Sequence, residues 1–149
     1  MTERKKIKNR LSNYNNKLVK IIDTNDKIYE GIGYYNNGLY NFQEFGREEE
    51  SIQILGFNFY KSSIKKIKEI NEYSSPYSEL ELDLVKDLSL LEEVLFDDEE
   101  EKTVLRVLAC LEQNTDFLNK DLCKMFKKKC KTCHDKETKK YIKKVLKQK

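Results

Sequence analysis

The residue pattern predicts an α+β protein, a small antiparallel β-barrel or sandwich followed by a small α-helical bundle. Two observations carry this. Between Lys17 and Ile70, short blocks rich in β-branched and aromatic residues alternate with turn residues, the signature of short antiparallel strands. After Ser74-Ser75-Pro76 the periodicity becomes helical, with no strand signal. The change divides the chain into residues 1–72 and 73–149.

The elements follow in order. Ile7 and Leu11 lie i, i+4 apart in a basic N-terminus and predict a short helix from about Arg4 to Tyr14. Lys17 to Asp23 reads as the first strand, and Asp23-Thr24-Asn25-Asp26 as a turn, because Asn and Asp bond their own backbone and tolerate left-handed geometry. Lys27 to Tyr35 is the second strand, with Gly31 and Gly33 marking a bend or bulge. Asn36-Asn37-Gly38 is expected to be a turn or loop tip, Leu39 to Phe45 a third short strand, and Gly46 to Glu50 a polar loop. Ser51 to Leu55 and Phe57 to Lys61 flank Gly56, and Ile64 to Ile70 is expected to close the barrel.

In the helical half, Ser78 with Glu81 forms a capping box, and Leu80, Leu84, Leu88, Leu91 and Leu95 continue one apolar face. Asp97 to Glu101 is an acidic connector suited to the N-terminus of the next helix, Lys102 to Gln113. Two more amphipathic segments, Asp116 to Lys129 and Lys136 to Lys147, complete a bundle of four.

Composition narrows the functional classes. The chain has 149 residues and a net charge of +3. No apolar run reaches the length of a membrane span, and Met1 to Arg10 lacks the apolar stretch of a signal peptide, so a cytoplasmic location without membrane association is expected. The net charge hides strong segregation: residues 1–71 carry +4, residues 72–101 carry −11, residues 102–119 balance, and residues 120–149 carry +10. Such opposed fields attract charged partners or clasp one another internally.

The barrel segment resembles the Sm-like proteins, closest to the short bacterial ones. The resemblance runs through Leu18-Val19-Lys20-Ile21-Ile22-Asp23, Tyr29-Glu30-Gly31, Glu48 to Ile54, and Phe59 to Ile67. It covers roughly residues 11–70 and leaves the helical half unrecognised. It implies a strongly bent five-stranded sheet after an N-terminal helix, a tendency to assemble through strand edges, and RNA binding. Two positions depart from the RNA-binding pattern. Asn36 and Asn37 stand where the family carries an acid with an asparagine, and Ile54-Leu55-Gly56 where it carries an apolar-Arg-Gly step. Tyr34, Tyr35, Tyr40 and Phe42 lie nearby and could stack on bases, form barrel core or make a protein interface.

The candidate nucleic-acid residues are therefore Tyr35, Asn36 and Asn37, with Lys124, Lys127, Lys128, Lys129 and Lys131 of the basic tail. The acidic run Asp97, Asp98, Glu99, Glu100 and Glu101 is the candidate protein-interaction segment, able to imitate a nucleic-acid backbone or to serve as a solvated helix cap. Cys110, Cys123, Cys130 and Cys133, with His134, include a CxxCH string. Their spacing fits no common zinc pattern, and buried thiols are the expected reading, with no metal and no cofactor. One histidine, no glycine-rich phosphate loop and no clustered nucleophile argue against catalysis. The sequence thus predicts a non-catalytic regulatory module that binds nucleic acid or a nucleoprotein, and a homodimer. The alternative is a protein-binding inhibitor or adaptor, of the kind phages encode against host defence.

Overall fold

The computed structural model describes residues 10–97 and 101–147. The chain folds as two compact units, Met1–Ser74 and Ser75–Lys149. The class is α+β, as the sequence predicts.

The first unit opens with a 3-10 turn, Leu11–Tyr14, whose Leu11 and Tyr14 are buried. Residues 4–9 of the expected N-terminal helix lie outside the described residues. Five strands follow: β1 (Lys17–Asp23), β2 (Ile28–Asn36), β3 (Ser51–Ile54), β4 (Phe57–Tyr60) and β5 (Ile64–Glu69). They form one antiparallel sheet in the order β4-β3-β2-β1-β5. The sheet is not closed, because β4 and β5 are its two edges, so the segment expected to close a barrel, Ile64 to Ile70, forms an edge strand instead.

β2 bends the sheet. Its first half, through Gly33, pairs with β1, and Tyr34–Asn36 pair with β3. A Cβ at Gly33 would lie 2.7 Å from Ile52 Cγ2, so only glycine lets the two strands approach this closely. The ladder irregularity falls in β1, between Ile22 and Asp23, rather than at the glycines of β2. Val19, Ile21, Ile52 and Ile54 fill the interior, where the Tyr29 and Phe59 rings meet at 4.7 Å. Asp23 Oδ1 accepts from the amides of Asn25 and Lys27, both at 2.9 Å, which builds the β1–β2 turn. Leu55 (φ 49°) and Gly56 (φ 91°) form a two-residue β3–β4 turn with both residues left-handed.

A further expectation fails in the segment after β2. Leu39 to Phe45 is a helix, α1 (Gly38–Phe45), and not a strand. Asn37 is its N-cap, accepting from Tyr40 N at 2.8 Å, and Gly46 (φ 76°) ends it. The alternation of aromatic and polar residues imitates a strand, but the caps at each end impose the helix. Asn36 accordingly ends β2 instead of sitting at a loop tip. Buried Asn41 fastens α1, donating from Nδ2 to Glu49 O at 2.7 Å and to Ser51 Oγ at 2.9 Å. The unit ends at Ser74, which donates through its amide and hydroxyl to the buried Glu30 carboxylate.

The second unit holds α2 (Glu79–Val85), α3 (Leu88–Asp97), α4 (Glu101–Gln113), α5 (Lys120–Thr132) and α6 (Lys136–Leu146). The capping box is present: Ser78 N donates to Glu81 Oε1 at 2.7 Å, and Ser78 Oγ accepts from Leu80 N at 3.3 Å. The leucine ladder from Leu80 to Leu95 is two helices rather than one. Asp87 breaks it, because its carboxylate accepts from Leu90 N at 3.2 Å and starts α3 afresh. The third expected segment begins later than Asp116, with a 3-10 turn at Thr115–Phe117 and Asn119 capping α5. Leu84, Leu91, Leu95, Leu108, Phe126 and Ile142 form the core. Glu81 and Arg106 are paired inside it at 3.2 Å, and Arg106 Nη1 also donates to Ser75 O at 2.6 Å. No helix among the described residues is long and apolar enough to cross a membrane.

Candidate nucleic-acid interface

The basic helices α5 and α6 are joined by Cys133-His134-Asp135 and pack on one another. Asp135 fixes the start of α6: Thr138 donates from its hydroxyl at 2.6 Å and its amide at 3.0 Å to Asp135 Oδ2. These two bonds, the hydroxyl foremost, hold the Asp135 carboxyl below its ordinary range.

Between the helices lies an open groove of about 600 Å3, lined by Lys127, Cys130, Lys131, Lys139, Lys143, Leu146 and Lys147. The lining contains five lysines and no carboxylate. None of the five is ion-paired among the described residues. Helical geometry explains the clustering. Lys127 and Lys131 are four residues apart on α5, and Lys139, Lys143 and Lys147 repeat every four along α6, so each set forms a row. The neighbouring Lys144 faces elsewhere and pairs with Glu112 at 3.4 Å. Tyr141 donates to the same Glu112 at 2.8 Å; burial, then that bond, raises its pKa to about 12.

The structure separates the five candidate lysines of the tail. Lys127 and Lys131 line the groove. Lys128 and Lys129 instead sit over the Phe96 ring of α3, at 5.1 and 6.0 Å. Lys128 there shares a shallow depression with Glu92 and Glu93, so basic tail and acidic segment do meet locally. Lys124 is exposed and outside the groove. Sequence reasoning misses Lys139, Lys143 and Lys147, although their four-residue spacing is readable there.

The candidates of the β-unit have other tasks. Tyr35 donates from its hydroxyl to Glu50 Oε1 at 3.1 Å, and burial, then this bond, raises its pKa. Asn36 Nδ2 donates to Gln53 Oε1 at 2.9 Å and to Asn58 Oδ1 at 3.4 Å. Asn37 caps α1. Leu39 and Phe42 of α1 are 64% and 56% exposed, and Tyr34, Tyr40 and Phe45 are also exposed. Tyr34, Tyr40 and Phe42 therefore do not form barrel core.

Asp97 ends α3 and Glu101 begins α4, while Asp98, Glu99 and Glu100 lie outside the described residues. Cys130 borders the groove, Cys133 is buried with Sγ 3.6 Å from Asp135 O, and His134 is exposed. Cys110 is buried in α4, and burial above all pushes its thiol up to about 12. Among the described residues no three His, Cys, Asp or Glu side chains converge as a metal site. Compared with known proteins, the chain matches no family model, no curated protein and no solved structure.

Proposed function

We propose that the protein is a non-catalytic regulatory module that binds nucleic acid, alone or within a nucleoprotein, through the lysine groove of α5 and α6. The carrying observation is a set of five lysines, none ion-paired among the described residues, around one concavity with no carboxylate in its lining. Such a surface attracts polyanions and releases their counterions on binding. The Sm-like reading of the β-unit points the same way, since RNA binding is common among Sm-like proteins. It is supported by the residues of β1, β2 and β5 and by a five-stranded antiparallel sheet after a helical turn.

A mobility shift with labelled RNA and DNA at low salt tests the proposal. K131E/K143E should weaken binding by at least about tenfold, whereas K128E/K129E should leave it nearly unchanged. Equal losses in both variants, or no binding by the wild type, would count against it.

A second reading, a protein-binding inhibitor or adaptor, is favoured by the exposed apolar face of α1. It predicts nuclease-resistant co-purification with one protein, lost in F42E.

A further inference from the structure

We infer, resting on the nucleic-acid reading above, that the groove takes the backbone of a single strand and is indifferent to its sequence. The first ground is spacing. Within each row the lysines repeat every four residues, which is about 6 Å along a helix. That step is comparable to the separation of neighbouring phosphates in an extended strand. Lys139, Lys143 and Lys147 therefore span about 12 Å, enough for about three phosphates. The Lys127–Lys131 row borders the other side of the same depression.

The second ground is shape. Duplexes are read by convex elements, a helix or ribbon, that enter a groove of the nucleic acid. Here the charge lines a concavity of about 600 Å3, a shape in which one backbone can lie and not one that enters a groove of a duplex.

The third ground is chemistry. The uncharged lining is Cys130 and Leu146. Asn, Gln and Arg, which read base edges, are absent from it, as are aromatic rings, which stack on bases. Lysine is a point charge that recognises phosphate without regard to the base attached. Binding is then weak, strongly salt-dependent and sequence-blind.

Cys130 supplies a local probe. It is half-buried at the groove, while Cys110 and Cys133 are buried, so C123S leaves Cys130 as the thiol open to an aromatic disulfide reagent. The test measures binding of the C123S protein to oligothymidylate, oligoadenylate and a duplex of equal length. Inorganic tripolyphosphate serves as competitor, and the rate of Cys130 modification is followed throughout. Both single strands should bind within about threefold of each other, and at least about fivefold tighter than the duplex. Both should slow Cys130 modification by at least about fivefold, and K131E/K143E should weaken the binding at least about tenfold and remove the protection at the same strand concentration.

A duplex bound as tightly as the strands overturns the single-strand inference and leaves the nucleic-acid reading standing. Strong preference for one homopolymer overturns sequence-indifference. Strands that bind without protecting Cys130 move the site elsewhere. Tripolyphosphate that protects Cys130 when no oligonucleotide does makes the groove a site for a small polyanion, and the proposed function fails with the inference.

Discussion

Asn37 shows how a residue chosen for one chemistry serves another. Its side-chain oxygen accepts from Tyr40 N and starts α1, so it is committed to the fold. N37A should cost about 1 kcal/mol of stability in denaturant titrations, the usual worth of an N-cap, while nucleic-acid affinity stays unchanged. A loss of affinity without loss of stability would return Asn37 to the binding site. Leu55 is the converse case, a residue the turn does not suit. At φ 49° its Cβ crowds the following carbonyl, whereas Asn is tolerated in that conformation and makes the favoured Asn-Gly pair with Gly56. L55N should raise stability by about 1 kcal/mol. An unchanged or lowered denaturation midpoint would show that half-buried Leu55 contributes more by packing than it loses to strain.

At the scale of elements, legibility depends on whether local pattern and tertiary role agree. β1 is legible because Val19 and Ile21 alternate into the core, and its bounds match the sequence reading residue for residue. Ser78 and Glu81 are legible because a capping box is a local device. α1 is not, because its aromatics face outward and their alternation imitates a half-buried strand. The α2–α3 break is hidden by a leucine ladder that continues across it, and only the Asp87 carboxylate marks the new start. Half of the groove is legible as charge on α5. The α6 half needs the pairing of the two helices, which spacing alone does not supply.

Two elements yield further predictions. Arg106 neutralises Glu81 inside the second unit, where both side chains are buried. R106A leaves that carboxylate uncompensated and should destabilise the protein by about 3–5 kcal/mol. A loss well below that range would show that water reaches Glu81. For α6, the Asp135 cap has a pH signature. The carboxyl is held below its ordinary value of 3.8, so its contribution is complete above that value and is lost as pH falls through the lower folded one. Acid should therefore reduce α6 helicity, measurable by circular dichroism. D135A should be less stable at neutral pH and lack this share of the acid response.

For the whole molecule, charge segregation is the organising fact, and the structure sorts it. Some of the tail's charge is engaged locally, by Phe96 under Lys128 and Lys129 and by Glu112 beside Lys144. The remainder is concentrated in the groove, where no carboxylate lines the wall. A net charge of only +3 would predict a weak response to salt, but the local arrangement predicts a steep one. The direct test is the affinity for a labelled single strand, by fluorescence anisotropy, across a range of salt. Five lysines surrounding about three phosphates predict a log–log slope between about −2 and −3.5, made shallower in K131E/K143E and unchanged in K128E/K129E. A slope near zero, or one that the groove variant leaves unchanged, would contradict the account.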